Sequence, residues 1–508
     1  MTHTWKNERA SEQIAKRISE VNTVSIVDYV RKMSLENIPV NKGYRVNGVH
    51  MYADILNLDE ILSTTDFEGE RCHKRALRFL NLHYRAVSRI LSKAEIIRVD
   101  FHNQRLHSLI TKPYNTEENA EVTRIHKAIA IAQLIIDVLK ETGDEDDSIP
   151  NAKVRVGIDT GQAIAVNNGR SGNKEPLFLG EPANHAAKLS GGGAAQGIFL
   201  TNEARKIIGL VEVSEPKNKA LTILDIQSSQ TKANLDFTKD EIIEDWKVDL
   251  EKNPIGAFSF SRHTPPLCNM DISDLTPSNS RRQEAVSIYA DIDGFTAYVK
   301  KHINDHPQDV IQCLHVIRSE LERVLTSDFD GRRIRFIGDC LHGLICEGTS
   351  KTTDIKATIS TATLCVGGLR SSFNLAIQKL KLQGIDTDGL GLQIGFEYGQ
   401  MTVSRLGLRG DKVRCSVSRG VLGSESEQLR CSSNETAIGT NAYNEGTDAV
   451  RNLFGSRRKK NGLDYHEILE SLHESSDETA KDSMRAAYAV TTPAIEQASQ
   501  RKVTPYTT

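Results

Sequence analysis

The sequence lacks the features that mark membrane, secreted or nucleic-acid-binding proteins. The sequence contains no run of about 18 apolar residues, the length needed to cross a bilayer. Its first residues, MTHTWKNERASEQIAKR, contain no apolar signal-peptide core. The eight cysteines form no CxxC pair, so we expect reduced thiols. The 64 basic and 67 acidic residues give a net charge of −3, which favours neither a nucleic-acid-binding protein nor an acidic disordered chain. We therefore expect a soluble, cytoplasmic protein.

What the sequence does have is an internal duplication within 508 residues, a length sufficient for two or three domains. MYADILNLD at 51–59 resembles IYADIDGFT at 288–296. RLHSLIT at 105–111 matches CLHGLIC at 340–346, and VGIDTGQ at 156–162 matches IGFEYGQ at 394–400. Strand and helix patterns around these anchors predict a β–α–β–β–α–β unit with an extra strand pair in each half. The predicted class is α+β, with helices on one face of an antiparallel sheet.

This pattern divides the chain into five predicted segments. They are an N-terminal helical segment (1–44), a first module (45–210), a helical connector (211–282), a second module (283–445) and a polar, partly disordered C-terminal tail (446–508).

Two aspartates in the second module predict a metal site. Asp291 ends a strand, and Asp339 lies in an IGD turn between the next two strands. Clustered carboxylates suit hard divalent cations, and the carbonyl of Ile292 could add a ligand. Phe295 and Thr296 begin the next helix, whose N–H groups could face a polyphosphate. We expect two Mg²⁺ or Mn²⁺ ions; the alternative is that these aspartates only form turns.

The motifs DIDGFT, IGD and IGFEYGQ resemble those of the class III nucleotidyl cyclases, and the resemblance covers roughly 45–210 and 283–445. It implies ferredoxin-like modules that are active as a head-to-tail dimer, here an intramolecular pseudo-dimer. In that family one partner supplies two metal-binding aspartates. The other partner supplies an asparagine, an arginine and the residues that recognise the base.

The two halves differ in a complementary way at these family positions. The first half keeps Asp54 but has Gln104 in place of the second aspartate. Its GEPANHAAK segment carries Asn184 for the family asparagine and Lys188 for the arginine. We therefore expect one composite site, with metals in the second half and Asn184 and Lys188 from the first. The degenerate sister site would contain the remaining positions, Asp54, Gln104, Ser424 and Gln428.

The base-recognising position of the family falls on Asp100, and a second such position falls near Leu177. An ionised carboxylate only accepts hydrogen bonds, so Asp100 favours a base with an amine and disfavours the O4 carbonyl of uracil. Neither purine pattern is present, and the chain resembles the pyrimidine cyclases of bacterial Pycsar anti-phage systems. We expect CTP as substrate and cyclic CMP as product. Alternatively, Asp100 forms a salt bridge with Arg98 or Lys112.

Other functions stay open at this point. The chain could be a UTP, GTP or ATP cyclase, or a non-catalytic pseudocyclase that binds a nucleotide. The resemblance implies a nucleoside triphosphate substrate and a separate effector protein that binds the cyclic product. We expect no nucleic acid or membrane partner, and either a monomer or a homodimer.

Overall fold

A computed structural model describes residues 3–63, 68–144, 148–167, 176–408 and 412–489 of the chain. None of the described helices combines the length and the apolar composition that a bilayer-crossing segment needs. The strands are β1 (Ser25–Asp28), β2 (Lys42–Ile55), β3 (Ile97–His102), β4 (Arg105–Ile110), β5 (Val154–Asn167), β6 (Pro176–Leu179), β7 (Gly197–Leu200), β8 (Phe260–Ser261), β9 (Ser280–Asp293), β10 (Arg332–Ile337), β11 (Cys340–Ile345), β12 (Gly391–Leu406), β13 (Val413–Val417), β14 (Glu435–Ile438) and β15 (Lys459–Asn461). The helices are α1 (Asn7–Glu20), α2 (Leu58–Leu62), α3 (Glu70–Lys93), α4 (Ala120–Leu139), α5 (Glu181–Ser190), α6 (Asn202–Ile207), α7 (Ile223–Ala233), α8 (Lys239–Lys252), α9 (Phe295–His302), α10 (Pro307–Arg323), α11 (Ile355–Leu382), α12 (Arg419–Leu429), α13 (Thr440–Glu445), α14 (Asp448–Phe454), α15 (Tyr465–Glu474) and α16 (Glu478–Ala489).

The strands form two sheets with the same central order. In the first sheet β3, β4, β2, β5 and β6 are neighbours in that order, while β1 and β7 pair in parallel with β2 and β5. In the second sheet the order is β10, β11, β9, β12, β14 and β15, with β13 on β12 and β8 on β9. The central pairs, β2 with β5 and β9 with β12, are antiparallel. The fold is therefore α+β, and we refer to the two sheets with their helices as the first and second units.

The two sheets share a register. Asp54 of β2 and Asp291 of β9 occupy equivalent positions, because β5 and β12 pair with these strands in the same way. The hairpins β3–β4 and β10–β11 are offset identically, which places Gln104 of one turn at the position of Asp339 in the other. A slip of one residue would exchange the two faces of a sheet. The shared register therefore decides which side chains of the two halves are comparable.

Each sheet has an apolar face and a more polar face. Helices α3 and α4 cover the apolar face of the first sheet, and α10 and α11 cover that of the second. Met51 and Ala53 of β2 lie in the first core, as Ile288 and Ala290 of β9 lie in the second. Side chains alternate along a strand, so Asp54 and Asp291 each lie on the more polar face of their own sheet. Those faces carry α5 in the first unit and α12 in the second.

Segments outside the two sheets contact both units. Helix α1 packs on α10 and α11, where the indole Nε1 of Trp5 donates to Ser372 Oγ at 2.7 Å. Strand β1, only a few residues later, belongs to the first sheet. The connector contacts the units in the reverse order: α7 and α8 pack on α4 and α3 of the first unit, and β8 then joins the second sheet. Both segments therefore hold the two units together.

The C-terminal segment is not an appendage up to residue 489. Helices α14, α15 and α16 follow one another there, and α15 and α16 pack on α11. Tyr465, Ile468 and Leu472 of α15 are buried in the core of the second unit. The expectation of a disordered polar tail was therefore wrong for this part, and residues 490–508 lie outside the described ranges. The other predicted boundaries stay predictions.

Candidate active site

Asp291 and Asp339 lie close together at one end of the second sheet. Asp291 is near the end of β9, and Asp339 is in the turn that joins β10 to β11, the strand adjacent to β9. Burial, together with the charge of Asp293, raises the pKa of Asp291 to about 6. Burial and the charge of Asp291 raise the pKa of Asp339 well above its usual range. The structure thus brings together the two carboxylates that the sequence predicts as metal ligands.

This pair of carboxylates fits a divalent cation. A cation between them would relieve both the cost of burying charge and the repulsion of the two groups. Among the described residues, no group of three or more histidine, cysteine, aspartate or glutamate side chains forms a complete metal cage. Mg²⁺ commonly binds one or two carboxylates and completes its coordination with water and substrate phosphates. Two carboxylates are therefore sufficient to bind a cation whose coordination is completed by water and, once substrate is bound, by its phosphates.

The turn between β9 and α9 shapes the floor of this site. Gly294 has a φ of 77°, and a Cβ there would clash with the carbonyl oxygen of Gly389, so only glycine fits. The side chains of Ile292 and Phe295 are buried in the core of the second unit. Only their backbone groups could serve the predicted roles. Thr296 is exposed at the start of α9.

Helix α5 of the first unit approaches α9 of the second. The Nζ of Lys300 in α9 lies 2.6 Å from Glu181 Oε1 in the first turn of α5. Asn184 is half-buried one turn further along, and Lys188 is exposed after another turn. Neither of these two side chains has a hydrogen bond or ion pair to any other described residue. The helix predicted to complete the composite site therefore begins next to the unit that carries Asp291 and Asp339.

The structure corrects the predicted alignment of α5 with α12. The N-cap residues Gly180 and Ser418 are equivalent, and both helices pack against a glycine of the central strand in the same way. The positions equivalent to Asn184 and Lys188 are then Leu422 and Ser426, not Ser424 and Gln428. The prediction was wrong by two residues because the two segments share no motif that fixes their register. Its conclusion holds, since α12 offers neither the amide nor the cation at these positions.

The sister site contains a cation of its own. Arg105 Nε lies 3.4 Å from Asp54 Oδ2. Burial opposes ionisation of Arg105, yet the charges of Asp54 and of Glu425 in α12 raise its pKa above the usual value. The position of a second metal-binding carboxylate is held by the neutral Gln104. This arrangement places a guanidinium directly beside Asp54, and the sequence analysis did not single out Arg105.

Asp100, the predicted base-recognising residue, forms an ion pair with Arg335 of the second unit. Arg335 Nη2 donates to Asp100 Oδ1, and Nη1 donates to the carbonyl oxygen of Phe101 at 2.7 Å. The predicted alternatives for Asp100 were Arg98 and Lys112; Lys112 pairs with Glu95 at 3.0 Å, and the contact of Asp100 across the two units is with Arg335. Each of Asp100 and Arg335 follows a bulge in its hairpin, so the two occupy equivalent positions. Aligning RVDFHNQ with RIRFIGD would have identified Arg335.

Leu177, the second predicted base-recognising residue, is partly buried in β6, opposite Val166 of β5, and packs against an apolar cluster to which both units contribute. Its role toward a base stays a prediction. An apolar residue offers a base contact surface but no hydrogen bond.

Arg155 has a structural role in the first unit. Its guanidinium is buried and donates to the carbonyls of Leu189 at 2.7 Å and Ala195 at 3.1 Å, and it lies 3.6 Å from the ring centroid of Phe199. These contacts hold the end of α5 and the following loop. In the second unit the equivalent residue is Gln393, which lies opposite Asp291.

Comparisons with known proteins identify relatives of this chain. The model of the adenylate and guanylate cyclase catalytic domain matches residues 278–414, in the second unit. A uridylate cyclase of Pseudomonas aeruginosa is 59% identical over 506 residues, which cover 100% of this chain and 98% of the relative. A uridylate cyclase of a Rhizobium species is 38% identical over 435 residues, 82% of each chain. The crystal structure of a class III adenylyl cyclase-like ATP-binding protein from P. aeruginosa is 60% identical with a TM-score of 0.92, covering 93% of this chain and 100% of that one.

The chain belongs to the class III nucleotidyl cyclases. Within that family it is similar, over most or all of its length, to proteins named uridylate cyclase, which confirms the resemblance to pyrimidine cyclases.

The predicted choice of CTP is overturned by the same comparison, because both curated relatives are named for uridylate. The argument from Asp100 failed for a physical reason. It treated the carboxylate as a lone acceptor, whereas Asp100 is paired with the guanidinium of Arg335. It also considered only the O4 carbonyl of uracil and not the adjoining N3–H, from which a carboxylate can accept a hydrogen bond.

Proposed function

We propose that this protein converts UTP to 3′,5′-cyclic UMP and pyrophosphate at a composite site between its two units. The two units would act as an intramolecular pseudo-dimer of ferredoxin-like modules. Three findings support this proposal: the repeated sheet topology, the paired carboxylates of the second unit, and the names of the two relatives. The observation that carries the composite site is the Glu181–Lys300 contact, because it sets α5 against the helix that follows the metal aspartates.

Asp291 and Asp339 would hold two Mg²⁺ or Mn²⁺ ions, with the carbonyl of Ile292 as an additional ligand. When bound, such ions lower the pKa of an attacking hydroxyl and neutralise the leaving phosphate. The residues fit this task because their carboxylates are desolvated, close and mutually repelling. Backbone N–H groups at Phe295 and the hydroxyl of Thr296 would contact the phosphates at the start of α9.

The first unit would supply the groups that act on the ribose and the reacting phosphate. The 3′-oxygen of UTP forms a bond to the α-phosphorus, its proton passes to solvent, and the bond from the α-phosphorus to the bridging oxygen breaks to release pyrophosphate. Asn184 would orient the ribose for this in-line attack. Lys188 would stabilise the negative charge that accumulates on the phosphate, as a point charge rather than the two-pronged contact of an arginine.

The Asp100–Arg335 pair would recognise uracil. A uracil ring presents an N3–H donor between two carbonyl acceptors. The Asp100 carboxylate can accept from N3–H, and the adjoining guanidinium can donate to a carbonyl. The apolar side chain of Leu177 would pack against the uracil ring. The two polar groups neutralise each other, so the pocket would bind an uncharged base without an unpaired buried charge.

The assay that tests this function offers Mn²⁺ with UTP, CTP, GTP or ATP separately to the purified protein and identifies products by mass spectrometry. We expect cyclic UMP. A different cyclic nucleotide as main product would refute the base assignment but not the cyclase. Asp291→Asn should abolish turnover, whereas the equivalent change in the sister site, Asp54→Asn, should retain it. Equal losses in these two variants would contradict the assignment of the working site.

A second candidate activity has one observation in its favour. The structurally similar P. aeruginosa protein is described as ATP-binding. If ATP serves as substrate here, cyclic AMP will appear in the same assay. If ATP only occupies the site, it will inhibit cyclic UMP formation competitively and give no product. We further propose that the cyclic product is a cytoplasmic second messenger in anti-phage defence and that a separate effector protein reads it.

A further inference from the structure

Gln428 contacts the metal aspartate of its own unit. Its side-chain Nε2 donates to Gln393 Oε1 at 2.8 Å and approaches Asp291 Oδ2 at 3.4 Å. Gln428 is buried in α12, and Gln393 lies directly opposite Asp291 on the neighbouring strand. The amide therefore bridges two adjacent strand positions, one of which is the predicted metal ligand.

The backbone around Gln428 fixes this contact. Helix α12 lies directly on β12, and a Cβ at Gly395 would be well under 3.0 Å from the backbone nitrogen of Gln428. One turn earlier, Ser424 Oγ and Ser287 Oγ are 2.7 Å apart, which joins α12 to β9. Since Gln393 holds the amide from the other side, the side chain has little freedom to leave Asp291 Oδ2.

The sister site has a different group at the same distance from its aspartate. There Arg105 Nε lies 3.4 Å from Asp54 Oδ2. A guanidinium compensates the charge of the carboxylate, so a divalent cation gains less by binding. An amide orients the carboxylate by a hydrogen bond and leaves its negative charge for a metal. Ser190, the α5 residue that aligns with Gln428, is a neutral hydrogen-bond partner of Asp54, so the sister site differs from the second unit by the added charge of Arg105.

We propose that Gln428 is a positioning residue that orients Asp291 for metal binding while leaving its charge uncompensated. This inference rests on the metal assignment of the proposed function but not on the identity of the base. Groups that hold metal ligands in place characteristically change metal affinity by about 10-fold to 100-fold when replaced.

The test compares Gln428→Met, Gln428→Arg and Leu429→Arg. Methionine keeps the length of the side chain and removes the hydrogen bonds, whereas arginine adds a cation beside Asp291. Leu429 is the next residue of α12 and is 73% exposed, so Leu429→Arg adds the same charge in solvent. Mn²⁺ binding is measured by electron paramagnetic resonance without nucleotide, and thermal melting identifies variants that fail to fold.

We expect Mn²⁺ affinity to fall by about 10-fold in Gln428→Met and by up to about 100-fold in Gln428→Arg, by analogy with other groups that hold metal ligands. Leu429→Arg should bind as the wild type does. A folded Gln428→Met variant with wild-type Mn²⁺ affinity would overturn the proposal, as would equal weakening by Leu429→Arg. If Gln428→Arg does not fold, the methionine variant decides alone.

The outcome is separable from that of the proposed function. Absence of cyclic UMP with the expected order of Mn²⁺ affinities would refute UTP cyclisation and leave the role of Gln428 intact. A wild-type protein that binds no Mn²⁺ would refute both. With active enzyme, the positioning role also predicts that high Mn²⁺ concentration restores kcat in Gln428→Met while the KM for UTP changes little.

Discussion

Replacing Asp291 with asparagine should stabilise the metal-free protein at neutral pH. Burial and the charge of Asp293 raise the pKa of Asp291 from 3.8 to about 6. One pKa unit corresponds to about 1.4 kcal/mol, so a shift of about two units means that the ionised carboxylate costs the folded state up to roughly 3 kcal/mol. Asparagine keeps the shape and removes the charge. Most of this cost should be recovered in the variant.

The pH dependence follows from the direction of the shift. The folded-state pKa of Asp291 is higher than the unfolded value of 3.8, so the folded protein binds more protons than the unfolded protein between these values. The contribution of this group to stability therefore falls as pH rises from 3.8 to about 6. The stabilising effect of Asp291→Asn should be complete above that range and should shrink as the solution is acidified within it.

The assay is thermal unfolding in EDTA at several pH values, followed by addition of Mn²⁺. Metal should stabilise the wild type and not Asp291→Asn, because a ligand that binds only the folded state raises its stability. Asp386→Asn is a control of opposite sign, since hydrogen bonds from Lys301 and from the backbone of Asp388 lower the pKa of Asp386 to about 2. An Asp291→Asn protein that melts below the wild type in EDTA at a pH of about 8, above the folded-state pKa, would refute the reasoning.

Three further predictions concern packing and charge. Gly395→Ala should lower the free energy of unfolding by about 1–3 kcal/mol or more by overpacking, and it should abolish activity by displacing α12. Gly399→Ala is the control, because the nearest neighbour of a Cβ there is 3.7 Å away, and it should melt like the wild type. Equal melting temperatures of the two variants would contradict the close approach of α12 to Gly395. The double variant Gln104→Asp, Arg105→Cys should raise the number of Mn²⁺ ions bound per chain. Turnover should not rise, because α12 still lacks counterparts of the Asn184 amide and the Lys188 cation. An unchanged metal content would refute our account of the sister site. Asp249→Ala should lower the free energy of unfolding by about 3–5 kcal/mol, since this buried carboxylate forms ion pairs with two arginines of α3. A loss below about 1 kcal/mol, which is typical of an exposed ion pair, would argue against its burial.

The register of the two sheets could be predicted from the sequence because strands repeat every two residues. The matched segments RLHSLIT and CLHGLIC fix the offset, and a slip of one residue would expose the apolar face. The same logic identified Gln104 as the residue in place of Asp339, and the ladders confirm it. In a duplicated chain, hairpin motifs therefore carry positional information reliably.

Helix register and long-range partners could not be read in this way. The segments GEPANHAAK and GVLGSESEQ share no motif, so their alignment depended on spacing alone and was wrong by two residues. Comparing their N-caps, Gly180 and Ser418, would have given the offset. The polar composition of the C-terminal segment also concealed the narrow apolar stripe of α15, which becomes visible only against α11.

The ion pair between Asp100 and Arg335 bears on why the two halves of this chain differ. These residues occupy equivalent hairpin positions and contact each other, so the contact joins matching positions of the two units. Two copies of the first unit would place two carboxylates there, and two copies of the second would place two guanidiniums. Like charges at such distances cost several kcal/mol, so the pair opposes both wrong assemblies. Under the proposed function the two units would also differ in their roles, with metal ligands in one unit and phosphate and base contacts in the other. An exchange of the two charges should accordingly restore stability lost in either single variant, yet leave UTP turnover impaired, because the carboxylate would then lie on the strand of the metal-binding unit.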